Sequence, residues 1–363
     1  MHKGASKRFD YNIGIFIKAP ITDFYNKQSN EFLNDKNLFD NNKFMIFDDL
    51  TLIEKLGKGS FGKVFLTSRQ GFKDKFATKK INKQLIERTE VKKCLDRGIK
   101  ILKEIDHPNI LKLYDIKESK EDLYLAKEYC NGKNLDDCLK QNIEQYKAAF
   151  PEQVVQYLMK QIVSAINYLH KQNIIHRHIK LKHILVNFDS EEDRKNKNML
   201  KAKIKIYDFL FACQLNPGEL AHEILGSPLY MEPGLLRCLN SSMTKLGYDQ
   251  KVDIWSLGAI CYELLVGKSP FDSEDMDILL EKIESGNYYL PIYLSKESIS
   301  FINSMLQYDF KKRLNAEQLI DHVFLTKPCS QFTQINLKKT KKYIVGSKIK
   351  MNTKDNSSIL NIF

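Results

Sequence analysis

From Phe47 onward the chain alternates apolar and polar positions in short runs. LTLIEKLGKGSFGKVFLTS alternates on both sides of a glycine cluster, and KDKFATKKIN follows as another run of period two. Strand side chains point to opposite faces in turn, so the pattern predicts a hairpin of two strands and then a third. TEVKKCLDRGIKILKEI differs, with Val91, Cys94, Leu95, Ile101, Leu102 and Ile105 at helical spacing, interrupted at Gly98. LKLYDI and LYLAKEYC predict two further strands. FPEQVVQYLMKQIVSAINYLHKQN holds Val154, Val155, Leu158, Met159, Ile162, Val163, Ile166 and Leu169 at helical spacing, a long helix opened by Pro151. After a short strand region the chain to about Leu325 is predicted mostly helical. The charged run SEEDRKNKNMLKAK reads as a surface loop between two strands. Together these elements predict an α+β protein with a small β-rich lobe over 47–130 and a larger helical lobe over 131–325. An N-terminal extension, 1–46, and a basic tail, 326–363, flank them.

Composition changes this picture little. The 363 residues, 43% hydrophobic and 28% charged, suffice for two cores. No apolar run reaches membrane-spanning length, and the start MHKGASKRFDYN lacks the apolar centre of a secretory signal. The seven cysteines are scattered without a CxxC pair, which predicts reduced thiols and a cytoplasmic protein. Charge is concentrated at one end: from Thr326 there are eight lysines against Asp355, so +7 of the net +12 lies in the tail. Such a tail could touch an acidic partner, nucleic acid or a lipid surface, and it reads as a solvated segment. The remaining +5 compels no nucleic-acid partner, and none is expected.

The motifs give the fold a family. Gly57, Gly59 and Gly62 form G-x-G-x-x-G, but Val64 and Phe65 continue a strand where a dinucleotide fold would open a helix. That context favours a hairpin flap over phosphates, where glycine lets backbone N–H groups approach. Lys79 follows in FATKKI; then come HPNI at 107–110, EYCNG at 128–132, HRHIK at 176–180, YDF at 207–209, GSPLYMEP at 226–233 and DIWSLG at 253–258. In this order the motifs resemble a eukaryotic protein kinase domain over about 47–325, a bilobal fold. EYCNG, GIKILKEI, the charged insert and GSPLYM are most similar to the autophagy-initiating serine/threonine kinases. The resemblance implies an ATP site at Leu56, Gly57, Gly59, Gly62, Val64, Ala77, Lys79, Glu128, Cys130, Leu185 and Asp208, with Asp208 as a weak magnesium ligand. It also implies a packing column of Leu102, Phe209 and His176 between the lobes, and Asp253 and Trp255 as the anchor under the catalytic loop.

The departures from the family pattern fall on its chemistry. His178 stands where the family has the aspartate that accepts the substrate proton, and His183 where an asparagine holds the second Mg²⁺. Lys180 is retained. Imidazole carries no negative charge, and Mg²⁺ prefers oxygen. Gly98 takes the place of the helix glutamate that pairs with the lysine, and Leu210 that of the glycine in D-F-G. Lys127 replaces an apolar wall of the adenine pocket and is expected to pair with Asp208. The A-P-E segment reads Glu232-Pro233-Gly234, so Glu232 is the candidate partner for Arg313. FLFACQLNPGELAHEILG, 209–226, has no Ser, Thr or Tyr, and Glu223 falls where a phosphothreonine would meet Arg177.

The expectation is a pseudokinase: a scaffold or interaction module with residual ATP binding, weakly magnesium-dependent, and no competent catalytic residue. Its protein partners would be met through the terminal extensions. Two alternatives stand beside it. One is a divergent active serine/threonine kinase with His178 as base and Asp208 as sole metal ligand. The other is a transition-metal site of His178, His183 and Asp208, since imidazole and carboxylate suit Zn²⁺.

Overall fold

The computed structural model describes residues 45–47, 50–59, 61–87, 89–240, 247–332 and 343–345. Its first half is a six-stranded antiparallel sheet in the order β1-β2-β3-β4-β6-β5. The strands are β1 (Met45–Phe47), β2 (Leu50–Gly59), β3 (Gly62–Arg69), β4 (Lys75–Asn82), β5 (Leu113–Glu118) and β6 (Asp122–Glu128). The glycine cluster closes the β2–β3 hairpin, with Gly59 opposite Gly62. A Cβ on Gly62 would lie 1.8 Å from the Lys80 carbonyl oxygen, so only glycine fits that crossing.

Helix α1 (Thr89–Glu104) crosses the sheet and belongs to two cores. Val91 and Leu95, near its start, pack with Phe61, Ile81, Ile86 and Leu125. Ile101, near its end, and Ile105 just beyond it join the large core of the second lobe. A single apolar stripe at 3.6-residue spacing thus ties the lobes together.

The second lobe is built on α2 (Leu135–Tyr146), α3 (Glu152–Lys171) and, further on, α6 (Lys251–Val266). Between them run β7 (Ile174–Ile175), β8 (Ile184–Asn187), α4 (Glu191–Asn196), β9 (Lys203–Ile206), β10 (Cys213–Gln214) and α5 (Pro233–Asn240). Helix α3 buries the predicted stripe from Val155 to Leu169. Helix α6 is buried all round, and Gly258 lets it meet α8 (Lys296–Met305), since a Cβ there would stand 2.8 Å from Leu306. Helix α7 (Met276–Ser285) and β11 (Tyr288–Leu290) complete the outer layer.

Two expectations need correction. The insert at 190–203 is not loop throughout: α4 forms there because the Ser190 hydroxyl accepts from the Asp193 N–H and three acids occupy the first turn. β8 and β9 on either side pair antiparallel, as the reading required. The tail is not wholly a solvated segment either, since β12 (Tyr343–Val345) pairs antiparallel with β11. The proposed partner contacts of the extensions otherwise fall outside the described residues. Among the described residues no helix is long and apolar enough to cross a membrane.

Candidate functional site

The loop between β7 and β8 is held from below by one carboxylate. Asp253, at the start of α6 and fully buried, accepts from the N–H of His176 at 2.9 Å and of Arg177 at 2.8 Å, and bonds His170 Nε2 at 3.0 Å. Burial works against its ionisation, but the bond to His170 and the nearby His176 outweigh that and hold its pKa down. Arg177 is thereby kept at a φ of 66°, a conformation that non-glycine residues seldom adopt. His176 packs edge-on to Phe209 at 4.8 Å, one contact of the expected column between the lobes. Its Nε2–H donates to the Tyr207 carbonyl and its Nδ1 accepts from the His178 N–H, which fixes the tautomer.

His178, His183 and Asp208 converge in front of this loop. Their ligand atoms lie within 4.8 Å of one another. His183 Nδ1 donates to the His178 carbonyl oxygen at 2.9 Å, which turns Nε2 toward Asp208 Oδ2, 3.4 Å away. Burial lowers the His183 pKa to about 4, so the ring is neutral near pH 7. Burial likewise holds His178 far below the ordinary imidazole range, with His183 and Lys180 adding repulsion. Asp208, at a φ of 67°, is the sole acid of this cluster. Burial opposes its ionisation, yet His183, Lys79, His178 and Lys127 together shift its pKa strongly down. Ser227, which the sequence reading did not single out, joins the cluster: its hydroxyl lies 3.0 Å from both His178 Nε2 and Lys180 Nζ. The signal was present in GSPLYMEP, but only the fold brings that segment over the loop.

On the sheet side, Val64 pairs with Lys79 and Ala77 with Lys127 across neighbouring strands. Leu185 pairs with Lys205, which bridges to Glu128 at 2.7 Å. Val64, Ala77 and Leu185 are half-buried, as walls of a cleft should be, while Leu56 is exposed at its rim and Gly57 has open space around it. A Cβ on Gly59 would lie 3.6 Å from Lys79 Cε, so the flap does reach over the lysine. Cys130 is buried and its thiol pushed up to about 12, hence protonated and inert.

The expected ion pair between Lys127 and Asp208 does not form. Among the described residues Asp208 pairs with His183, and Lys127 has no carboxylate within 4.0 Å. Lys127 instead stands in the cleft with its pKa lowered to about 8 by burial and by Lys79, Asp208 opposing. Gly98 carries no side chain toward Lys79; it lets α1 lie directly on the 3-10 turn Phe209–Phe211. Leu210 leaves the cleft and packs against the small-lobe cluster, where Phe61 from the flap tip is also buried. The apolar walls, the flap and Lys79 suit a nucleotide. A pair of magnesium ions does not fit, because His183 offers nitrogen where the second ion needs oxygen.

The segment after Phe211 is clamped. Glu223 Oε2 accepts from Arg177 Nη1 at 2.6 Å, and Arg97 of α1 reaches the same carboxylate at 3.3–3.4 Å. The Tyr248 hydroxyl donates to the Glu223 carbonyl oxygen. Arg177 Nη2 and Arg97 Nε lack acceptors, so the pocket offers more donors than one carboxylate can meet. Glu223 therefore gives Arg177 a permanent anion, and Arg97 extends the clamp to the helix. Burial raises the Glu223 pKa, but Arg177 and then Arg97 outweigh it and the net shift is downward. The clamp thus stabilises the fold above the unfolded carboxyl pKa, about 4.3, and is lost as pH falls through the depressed folded value. Glu223→Gln should reduce stability by about 1 kcal/mol at pH 7, an amount kept small because Glu223 is half-exposed. The variant's melting temperature should also fall less than the parent's between pH 6 and 3; parallel curves would refute the clamp.

The protein kinase domain family matches residues 50–325. The chain is 36% identical over 279 residues to calcium-dependent protein kinase 5 of Plasmodium falciparum, covering 75% of this chain and 44% of that one. It is 34% identical over 296 residues to myosin light chain kinase A of Dictyostelium discoideum, covering 80% of this chain and 92% of that one. The chain thus spans less than half the length of the first relative and most of the second.

Proposed function

This chain belongs to the protein kinase domain family, and we propose that within it the protein is a pseudokinase, a scaffold that keeps the kinase frame without efficient phosphoryl transfer. The observation that carries this reading is the pair of neutral imidazoles, His178 and His183, at the positions of proton acceptor and second metal ligand. Loss of a positioned general base typically costs roughly 10²–10⁴ in rate. Gly98 compounds it, because Lys79 has no helix carboxylate to orient it on phosphates. Protein partners are expected to use surfaces outside the cleft, in a cytoplasmic setting. Our narrower reading of kinship with autophagy-initiating kinases rests on EYCNG, GIKILKEI, the charged insert and GSPLYM.

A second reading, a slow but active serine/threonine kinase, has its own support. Phe209 is packed inward, the Glu223 clamp is closed, and the Lys180–Ser227 bond is in place. A thermal-shift titration with ATP, with and without Mg²⁺, and an assay of γ-phosphate transfer to protein separate the two. Nucleotide at 100 times its dissociation constant would stabilise the fold by about 2.7 kcal/mol. The pseudokinase reading expects a small shift that Mg²⁺ hardly changes, and no transfer. Transfer that disappears in both Lys79→Met and Asp208→Ala would establish the active kinase instead.

A further inference from the structure

His178 and His183 do more than depart from a magnesium site; with Asp208 they bring ligand atoms within 4.8 Å of one another. The His178 carbonyl oxygen can only accept, so His183 Nδ1 carries a proton and Nε2 is the nitrogen left for a ligand role. Nε2 faces the Asp208 carboxylate at 3.4 Å. Nitrogen and carboxylate oxygen at that spacing can share one cation between them.

The third donor is His178. Its Nε2 is engaged by the Ser227 hydroxyl, while Nδ1 is buried without a partner. A buried N–H left unpaired is rarer and costlier than an under-used acceptor. The proton therefore belongs on Nε2, donating to Ser227, and Nδ1 is the second free nitrogen. Each ring is thus held by a hydrogen bond through one nitrogen with the other unengaged by a hydrogen-bond donor or acceptor of its own loop, the arrangement by which outer hydrogen bonds orient metal-binding histidines.

We propose that His178, His183 and Asp208 bind a borderline divalent transition ion of the Zn²⁺ class. Two imidazoles and a carboxylate are the ligand types such ions take, and an oxygen-seeking Mg²⁺ is disfavoured by the same set. Zn–N bonds of 2.0–2.1 Å give a tetrahedral ligand–ligand edge of about 3.3 Å. The His183–Asp208 separation of 3.4 Å already meets it. The widest separation in the cluster, at most 4.8 Å, would close by about 1.5 Å on binding. Two neutral rings and one carboxylate leave a net positive charge on the bound ion, so its open position suits water or an anionic oxygen. Lys79, Lys127 and Lys180 surround the cluster, and none pairs directly with Asp208.

The inference is independent of whether phosphoryl transfer is lost. Its test uses the full chain, washed with chelator and titrated with Co²⁺ as a spectroscopic probe, with metal content measured separately. One Co²⁺ per chain with visible ligand-field absorption is expected, displaced by Zn²⁺ and not by millimolar Mg²⁺. His183→Asn keeps an N–H for the His178 carbonyl while removing the nitrogen ligand, so it should fold and lose at least 100-fold in affinity. Ser227→Ala should weaken binding by about 10–100-fold and leave the spectrum's form intact. Uptake unchanged in His183→Asn would place any bound ion elsewhere, among the free cysteines for instance, and overturn the proposal. So would the absence of stoichiometric Co²⁺. Magnesium-dependent transfer without metal uptake would instead refute the pseudokinase reading and this proposal together.

Discussion

Glu232→Ala should destabilise the protein by about 3–5 kcal/mol, the loss typical when one partner of a buried ion pair is removed. The Arg313 side chain is fully buried, and Glu232 is the carboxylate paired with it, at 3.3 Å. The guanidinium also donates to the carbonyl oxygens of Lys251 at 2.7 Å and Gln307 at 3.0 Å, and lies 5.2 Å over the Trp255 ring. Those contacts fix the arginine in place but do not neutralise it. Alanine at 232 would strand a charge that cannot reach water without dismantling the packing around Trp255 and Phe271, which stack at 5.8 Å. Against a usual domain stability of about 5–15 kcal/mol this is a large share. Melting should fall by roughly 10 °C, from about 2–4 °C per kcal/mol in domains of this size. Glu232→Gln, which keeps an acceptor, should lose less. A Glu232→Ala variant within 1 kcal/mol of the parent would mean that Arg313 is satisfied by carbonyls alone.

This ion pair also shows what the sequence could carry. The absence of a glutamate after Pro233 is visible in the sequence, and so is Glu232 beside it as a candidate replacement. Glu223 was legible in the same way, because a carboxylate at a phosphate position has one obvious partner. Period-two and helical spacing mark the five strands from β2 to β6 and helices α1 and α3, since those elements carry one apolar face. The cluster residues His178, His183 and Asp208 were named from motif positions, but not the orientation of any ring.

What stayed hidden depended on contacts between distant segments. Charge alone points Lys127 to Asp208; His183 stands 3.4 Å from that carboxylate, and no sequence rule ranks the two. Arg97 and Ser227 gained roles only when α1 and the GSPLYM segment came over the catalytic loop. The short α4 was missed because its stability lies in a cap and first-turn acids and not in an apolar stripe.

Gly98→Glu, the substitution that would restore the family's lysine–glutamate pair, is expected to damage the protein instead. On sequence grounds a side chain here should help: glycine in a helix interior is about 1 kcal/mol worse than alanine. The structure reverses the sign. A Cβ at position 98 would stand 2.4 Å from the Phe209 carbonyl oxygen and 3.1 Å from its carbon, both backbone atoms. The Phe209–Phe211 turn cannot recede freely, because Leu210 is held in the cluster of Ile81, Val91 and Leu95. Overpacking of this kind costs about 1–3 kcal/mol, and contact with backbone puts it at the upper end. Gly98→Ala should therefore lower stability by about 1–2 kcal/mol net, and Gly98→Glu by more. Calorimetric melting of the two variants decides the matter, and a stabilised Gly98→Ala would refute the packing argument. On the pseudokinase reading, no phosphoryl transfer is expected when Gly98→Glu is added to His178→Asp and His183→Asn. It should become measurable only when Leu210→Gly frees the turn as well. In packing terms Gly98 and Leu210 form one unit: the leucine draws the turn against α1, and the glycine leaves room for it. Restoring the two histidine positions alone would replace the reacting groups inside a frame whose helix no longer carries the carboxylate that Lys79 needs.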